Sequence, residues 1–327
     1  MIRATIPELP PVSDDQRARI LASPRDAASH NALLAATPAM SRIETGGIPT
    51  QNRLDTAPLI AAWNLERCLF PQASAEHLAR LGPDVILLSE MDCGMARTGQ
   101  RHTTREIAQA LGMSYAYGVE FYEMGLGGPT ERSFCTDDHN RLGFHGNAIL
   151  SAAPLTRVAM FRLDDQGHWF NLDPDQPRLG TRMALAAEID TATGPICVVS
   201  THLESNANAE YRHVQFLQLL ERVDYFARGC PIVIGGDLNT GNHMPPDFDW
   251  RQETLFDLAC ALGYSWQGSA PGQTTRPSLI TPHPDRTMRL DWIATRDCSP
   301  VEQGILSALN PDGRPLSDHD CVWCRLG

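Results

Sequence analysis

Short apolar runs recur along this chain, and nearly every one begins or ends on a polar group. LIAAWN (59–64), DVILLSE (84–90), GNAILS (146–151), TRMALAAEI (181–189), PICVVSTH (195–202), PIVIGGD (231–237), LDWIAT (290–295) and HDCVWCRL (319–326) have the length and β-branched content of buried strands. Between them lie helical patterns with start and stop signals. SAEHLARLG (74–82) opens on Ser and stops at Gly82, and TTREIAQALG (103–112) repeats that grammar. Residues 209–229 form the longest predicted helix, with Phe216, Leu219, Leu220, Val223 and Phe226 on one face. Residues 1–56 are richer in Pro, Asp, Ser and Ala and less periodic. They read as an N-terminal arm with short helices near 14–22 and 26–36, ahead of a domain spanning 57–327. The stretches 121–145 and 164–180 are rich in Gly, Pro and Asp and read as long loops, either rims of a functional site or disordered segments. Helices follow only some strands, so the pattern fits two packed sheets flanked by helices better than a doubly wound parallel sheet.

The polar groups at the strand boundaries carry the functional information. Asn64, Glu90, His202 and Asp237 end apolar runs, Asn239 follows two residues later, and Asp291, Asp318 and His319 open runs. Where strands run both ways, such ends and beginnings meet at one edge of the fold. A carboxylate at the end of an apolar strand is costly unless a cation or donor meets it. An oxygen-rich edge suits Mg²⁺, which keeps several waters and needs only one or two carboxylates beside a substrate phosphate. Glu90 and Asp318, with the amide oxygen of Asn64, are the expected metal ligands. Asp237 is expected to orient or deprotonate water, and Asn239 to donate to a phosphoryl oxygen. His202 and His319 would supply protons or positive charge, and Asp291 would hold one His in its useful tautomer. Each motif alone has a plainer reading: GGDLN as a turn, SDH as a polar loop, STHLE as a strand exit. The joint order favours chemistry.

Composition narrows the substrate more than the fold. Of 327 residues, 42% are hydrophobic and 20% charged, an ordinary globular balance. The net charge of −12, with 27 Lys+Arg against 39 Asp+Glu and no basic run, disfavours a long polyanion such as nucleic acid. It leaves a small or lipid-like phosphoester as the preferred partner. Nine cysteines show no zinc spacing. Cys321 and Cys324 read as core residues of a last strand. Free thiols, no secretory pattern at the N-terminus and no apolar run of membrane-spanning length lead to the expectation of a cytoplasmic protein. Oligomeric state leaves no mark in the sequence.

Taken in order, WN (63–64), LLSE (87–90), GNAILS (146–151), STHLE (200–204), GGDLN (235–239), LDWI (290–293) and SDH (317–319) resemble the motif set of the endonuclease/exonuclease/phosphatase superfamily over residues 57–327. The resemblance implies an α/β fold, a four-layer sandwich of two mixed, mostly antiparallel sheets flanked by helices, with two pseudo-twofold halves. It also implies a Mg²⁺- or Mn²⁺-dependent phosphoester hydrolase. By resemblance, Asn64, Glu90 and Asp318 hold metal. His202, Asp237, Asn239 and His319 act on water and phosphate, and Asp291 pairs with His319. Arg212 and Gln215 match a structural Arg-x-x-Gln helix, and Asn147 a Gly-Asn that steadies the site. Two runs, 91–106 and 117–128, match no branch of the superfamily. Their Arg97, Arg101, His102, Glu120 and Glu123 are candidates for substrate selection, with solvated surface as the alternative, and Glu66 is read as either cleft or surface. Fold alone does not separate a small-molecule phosphoesterase from a nuclease. A non-catalytic binding module is disfavoured because none of the eight groups is missing.

Overall fold

The computed structural model describes residues 1–163, 176–241, 249–282 and 288–327. In chain order, β1 (Thr5–Ile6), α1 (Asp14–Ala22), α2 (Ala27–Ala36) and β2 (Ile43–Gly47) precede β3 (Leu59–Arg67), α3 (Pro71–Leu81), β4 (Val85–Cys93) and α4 (Thr103–Leu111). Then come β5 (Ser114–Glu123), α5 (Pro129–Arg132), β6 (Phe144–Ser151), β7 (Leu155–Arg162), β8 (Arg178–Gly180), β9 (Met183–Thr191) and β10 (Gly194–His202). The chain closes with α6 (Ala209–Ala227), β11 (Ile232–Asp237), α7 (Leu255–Ala261), β12 (Asp291–Arg296), β13 (Pro300–Leu306) and β14 (Cys321–Leu326).

The strands form two mixed sheets. The larger runs β1-β2-β5-β6-β4-β3-β14-β13, with β8 added beside β5, and the smaller runs β12-β11-β10-β9-β7. They lie face to face, and Ser200 Oγ of the small sheet donates to the Leu88 carbonyl of the large one at 2.8 Å. Helix α6 covers the small sheet through Phe216, Leu219, Leu220, Val223 and Phe226, all buried with the strand residues beneath. Its start is fixed by Asn208, whose side chain accepts the Tyr211 N–H. Helices α3 and α4 lie against the large sheet, each stopped by a glycine in the left-handed region, Gly82 (φ 65°) and Gly112 (φ 64°). The layers are thus helix, sheet, sheet, helix. Besides the parallel pair β1-β2 of the large sheet, each sheet holds one parallel pair joined across a single helix, β3-α3-β4 in the large sheet and β10-α6-β11 in the small one. The four carboxyl ends of these strands meet at one edge, which is where the site forms.

Several expectations change. Residues 117–128, expected as a rim, are largely the fully buried end of β5, and 121–145 holds α5 and the start of β6. Of the expected loop 164–180, residues 164–175 lie outside the described residues, while 178–180 form β8. Within 1–56 the helices fall at 14–22 and 27–36. Residues 43–47 pair with β5, and Leu9, Ile20, Met40 and Ile43 are buried in the main core. The two cysteines of β14 are buried, and all nine are free thiols.

Candidate active site

Strand register aligns the small sheet's polar groups. His202 is the direct partner of Asp237 across the parallel pair, and Asp237 is the partner of Asp291 across the next, antiparallel pair. Two glycines make this possible. A Cβ on Gly236 (φ 148°) would lie 1.9 Å from the Thr201 carbonyl oxygen, so only glycine permits the turn-in before Asp237. A Cβ on Gly235 would come within 2.9 Å of side-chain atoms of Ala62 and Leu87, so its absence lets the two sheets approach beside the site. From the large sheet, Asn64 ends the regular part of β3 and Glu90 sits at a bulge in β4. Ser317 Oγ donates to the Asn64 carbonyl (2.6 Å) and Trp63 Nε1 to the His319 carbonyl (2.7 Å), fastening the 317–319 loop to β3.

A cleft of about 340 Å³ opens over these strand ends, lined by Glu90, His202, Asp237, Asn239, Asp318 and His319 from the predicted set. Asn64 and Asp291 are buried just behind them. His319 Nδ1 lies 2.7 Å from Asp291 Oδ2, and its Nε2 faces Asp237 Oδ2 at 3.6 Å and Asp318 Oδ1 at 3.8 Å. Burial opposes its charge, but Asp291, Asp237 and Asp318 overcome it and hold the imidazolium well above the usual range. His202 is the reverse case. Burial and the adjacent Arg182 push it well below the usual value. Arg182 Nη1 lies 2.9 Å from His202 Nδ1, so that nitrogen accepts and Nε2 carries the hydrogen. Nε2 points toward Asp237 Oδ2 at 3.5 Å and Glu90 Oε1 at 4.0 Å. Asp237 accepts from Asn239 N–H (2.8 Å) and Asn64 Nδ2 (3.1 Å), and burial pushes its carboxyl up to about 6 despite the pull of His319. The same Asn64 Nδ2 donates to Glu90 Oε1 at 3.1 Å.

Backbone strain concentrates here. Arg67 (φ 72°), Glu90 (φ 58°) and Asn239 (φ 50°) all line the cleft in the left-handed region without being glycine, each at a cost of about 1 kcal/mol. The turn through Glu66, Arg67 and Cys68 sends the Glu66 N–H back onto Asn64 Oδ1 at 3.0 Å, so the amide oxygen expected at the metal is taken up by the backbone. The Glu66 carboxyl accepts from Ser278 Oγ, Thr281 Oγ1 and Asp318 N–H, and burial together with Asp318 pushes it up to about 7. Arg67 forms ion pairs with Glu90 and Glu131. Glu90 and Asp318 offer carboxylate oxygens to the cleft, the donor type a hard divalent cation prefers, and a cationic group, Arg67, already lies against Glu90. The residues therefore fit such an ion. Asp237, Asp291 and His319 place ligand atoms within 4.8 Å of one another, and within that cluster Asp291 Oδ2 already lies 2.7 Å from His319 Nδ1.

The proposed substrate residues divide. Glu123 lines the cleft. Glu120 is buried against Arg182 (3.2 Å), and burial pushes it up to about 7. Arg97 is buried among Asp92 (2.8 Å), Glu123 (2.8 Å) and Glu131 (2.9 Å). Asn147 lies inside the sheet on the Met183 carbonyl. Arg101 bonds the Thr98 and Leu69 carbonyls, and His102 caps α4 and meets Glu44 at 2.8 Å; neither lines the cleft. Arg212 is buried on Glu253, and Gln215 accepts the Glu204 N–H, both structural as read. Sequence reasoning missed Arg67, His145, Arg178, Arg182 and Arg276, which also line the cleft. Arg182 and His145 stand at strand starts, the same signal that marked Asp291. A larger concavity of about 610 Å³ lies elsewhere, near Arg3, Tyr115 and Phe226, and none of the eight predicted groups lines it.

The chain matches the model of the endonuclease/exonuclease/phosphatase family over residues 61–319 and belongs to that family. An endonuclease/exonuclease/phosphatase from Beutenbergia cavernae DSM 12333 superposes with a TM-score of 0.59 at 21% identity, over 83% of this chain and 71% of that one. The human Nocturnin catalytic domain with bound sulfate anion gives 0.56 at 17% identity over 87% and 96%. D. rerio TDP2 complexed with single-strand DNA product gives 0.54 at 16% over 84% and 100%. Comparison with curated proteins found no match. At these identities the likeness is one of fold.

Proposed function

We propose that this protein is a divalent-metal-dependent hydrolase of a small phosphoester, using Mg²⁺ or Mn²⁺. The observation that carries the reading is the carboxylate of Asp237, held between His202 and His319 within 3.6 Å in a cleft that also exposes Glu90 and Asp318. Glu90 and Asp318 would hold the ion, which would polarise a phosphoryl oxygen and offset developing charge. Asn64 and Asn239 fix the Asp237 carboxylate, whose raised basicity suits it to accept a proton from the attacking water. As the oxygen–phosphorus bond forms and the ester bond breaks, the His319 imidazolium and the His202 Nε2–H donate hydrogen bonds to the phosphoryl oxygens, and the leaving oxygen takes up the proton that Asp237 accepted from water. Asp291 keeps His319 protonated and oriented.

Hydrolysis of nucleic acid is the second reading, favoured by the arginines lining the cleft and opposed by the net charge of −12. Among the described residues no helix is long and apolar enough to cross a membrane. Nine free thiols support a reducing, cytoplasmic setting. The deciding experiment is a Mg²⁺- and Mn²⁺-supplemented screen of bis(p-nitrophenyl) phosphate, p-nitrophenyl phosphate, phospholipids and single- and double-stranded DNA and RNA. Turnover of the small esters that persists at high salt supports the reading. Hydrolysis confined to nucleic acid, and lost as salt rises, favours the second. No turnover of any ester removes both.

A further inference from the structure

Away from the cleft, a cavity of about 490 Å³ lies between α2, α6 and the end of β7. Ile2 closes one side, paired with Met160 of β7 through reciprocal backbone hydrogen bonds of 2.9 Å. Leu34 reaches the cavity from α2, and Gln218 and Arg222, one turn apart, reach it from α6. Arg162, the last residue of β7, lines it as well. None of the lining residues is a carboxylate, and none is shared with the cleft over the strand ends.

The cavity holds positive charge without a counterion. Arg162 donates from Nη1 to the Glu120 and Thr181 carbonyls (3.3 and 3.4 Å) and from Nη2 to the Met40 carbonyl (2.7 Å). Its Nε is buried with no partner among the described residues. Arg222 donates from Nη1 to the Arg162 carbonyl. Among the described residues neither guanidinium pairs with a carboxylate, in a chain with 39 acidic side chains against 27 basic ones. Carbonyl oxygens satisfy hydrogen bonds but do not neutralise a charge taken out of water. Burial pushes the Arg162 guanidinium down to about 10, so it is still charged at neutral pH; Glu120 draws it the other way, but that carboxyl faces Arg182 at 3.2 Å. The carbonyl contacts alone would make Arg162 a strut between strands. They do not account for a second arginine on the same cavity. Two guanidiniums without a counterion suit an oxyanion, which each can grip through charge-assisted hydrogen bonds.

We propose that this cavity binds a small organic anion, with a carboxylate or phosphate headgroup at Arg162 and Arg222 and an apolar body against Ile2, Leu34 and Met160. A volume of about 490 Å³ accommodates such a molecule. The site is separate from the chemistry of the cleft and stands whether or not the cleft hydrolyses a phosphoester.

The test is calorimetric titration with hexanoate and hexylphosphonate, in EDTA so that no metal draws the phosphonate to the cleft. Hexylammonium is the cationic control, and inorganic phosphate is the control without an apolar body. At least one alkyl anion should bind with Kd below about 1 mM and about ten-fold or more tightly than either control. The tighter of the two names the headgroup. Arg222→Gln should weaken that binding about ten-fold or more, the effect expected of one charge-assisted contact. Gln218→Glu places a carboxylate one turn from Arg222 inside the cavity. It should weaken the anion as much and raise Tm, because the chain then supplies the missing counterion. Both positions are partly exposed, and either variant carries the test should the other not fold. The proposal falls if neither anion binds in the millimolar range, or if a control binds as tightly. It falls equally if the variants leave the affinity unchanged, or if His319→Ala rather than Arg222→Gln abolishes binding, which would place the anion in the cleft.

Discussion

His319 Nδ1 and Asp291 Oδ2 are 2.7 Å apart, with both side chains buried, so a proton held between them has no competing water. Asp291→Asn keeps the shape but removes the charge that stabilises the imidazolium. It should lower kcat by at least ~10², the scale of losing one acid–base or electrostatic group. In NMR titrations the His319 ring should fall back toward the ordinary imidazole value. An unchanged titration would show that Asp237 and Asp318 suffice to hold the proton.

In the proposed mechanism Asp237 sets the acid side of the pH profile. As a base it works only when deprotonated, and burial pushes its carboxyl up to about 6. Activity should therefore rise as pH climbs through about 6. His319, pushed in the opposite functional sense, stays protonated well beyond its usual range, so the alkaline limb should lie far from the acid one. Asp237→Asn should lower kcat at least ~10² and flatten the acid limb in pH–rate measurements. A limb that survives in this variant belongs to another group.

In the proposed mechanism Arg67 and a divalent ion would compete for the same carboxylate, because the guanidinium pairs with Glu90. Chelation with EDTA should abolish turnover, and Mg²⁺ or Mn²⁺ should restore it. Glu90→Gln should weaken Mn²⁺ binding, followed by electron paramagnetic resonance, with little change in Tm. Arg67→Gln should tighten Mn²⁺ binding by about three-fold or more, since a like charge is removed from beside the ion. Weaker binding in Arg67→Gln would mean that the arginine orders Glu90 rather than opposing the metal.

Arg97 and Arg101, four residues apart in one run, should behave as opposites. Arg97 meets three carboxylates in the interior, so Arg97→Met leaves buried charge unpaired and should cost about 3–5 kcal/mol in denaturant unfolding. Arg101, with a 40% exposed side chain bonded to local carbonyls, should give Arg101→Ala a change within about 0.5 kcal/mol and no shift in KM. A raised KM in Arg101→Ala would return that loop to the substrate path.

The sequence made the strand ends readable because their polar groups break local rules: a carboxylate closing an apolar run is conspicuous. The helices around 71–81, 103–111 and 209–227 were legible from periodicity and, in the first two, from their closing glycines, but Ser74, expected to open the first, lies inside it, the helix starting after Phe70 without a side-chain cap. Strand β5 was not. Its SYAYGVEFYE carries Glu120 and Glu123, which look like surface until Arg182 and Arg97, distant in sequence, neutralise them. Residues 43–47 escaped for a different reason. IETGG has little side-chain signature, and a Cβ on Gly46 would meet the Tyr115 ring at 2.9 Å. Both failures come from partners that only folding brings together.

The row His202–Asp237–Asp291 runs across three neighbouring strands at matched positions. A slip of one residue in either pairing would turn a member of the row to the opposite face. Turnover therefore works as a gauge of assembly. During refolding, activity should return with the last sheet pairing rather than with helix formation or collapse. A single-residue deletion within 232–236 should leave a collapsed protein that is catalytically silent. The chemistry is in this sense a proofreader of its own scaffold, reporting only molecules in which all three strands have found their partners.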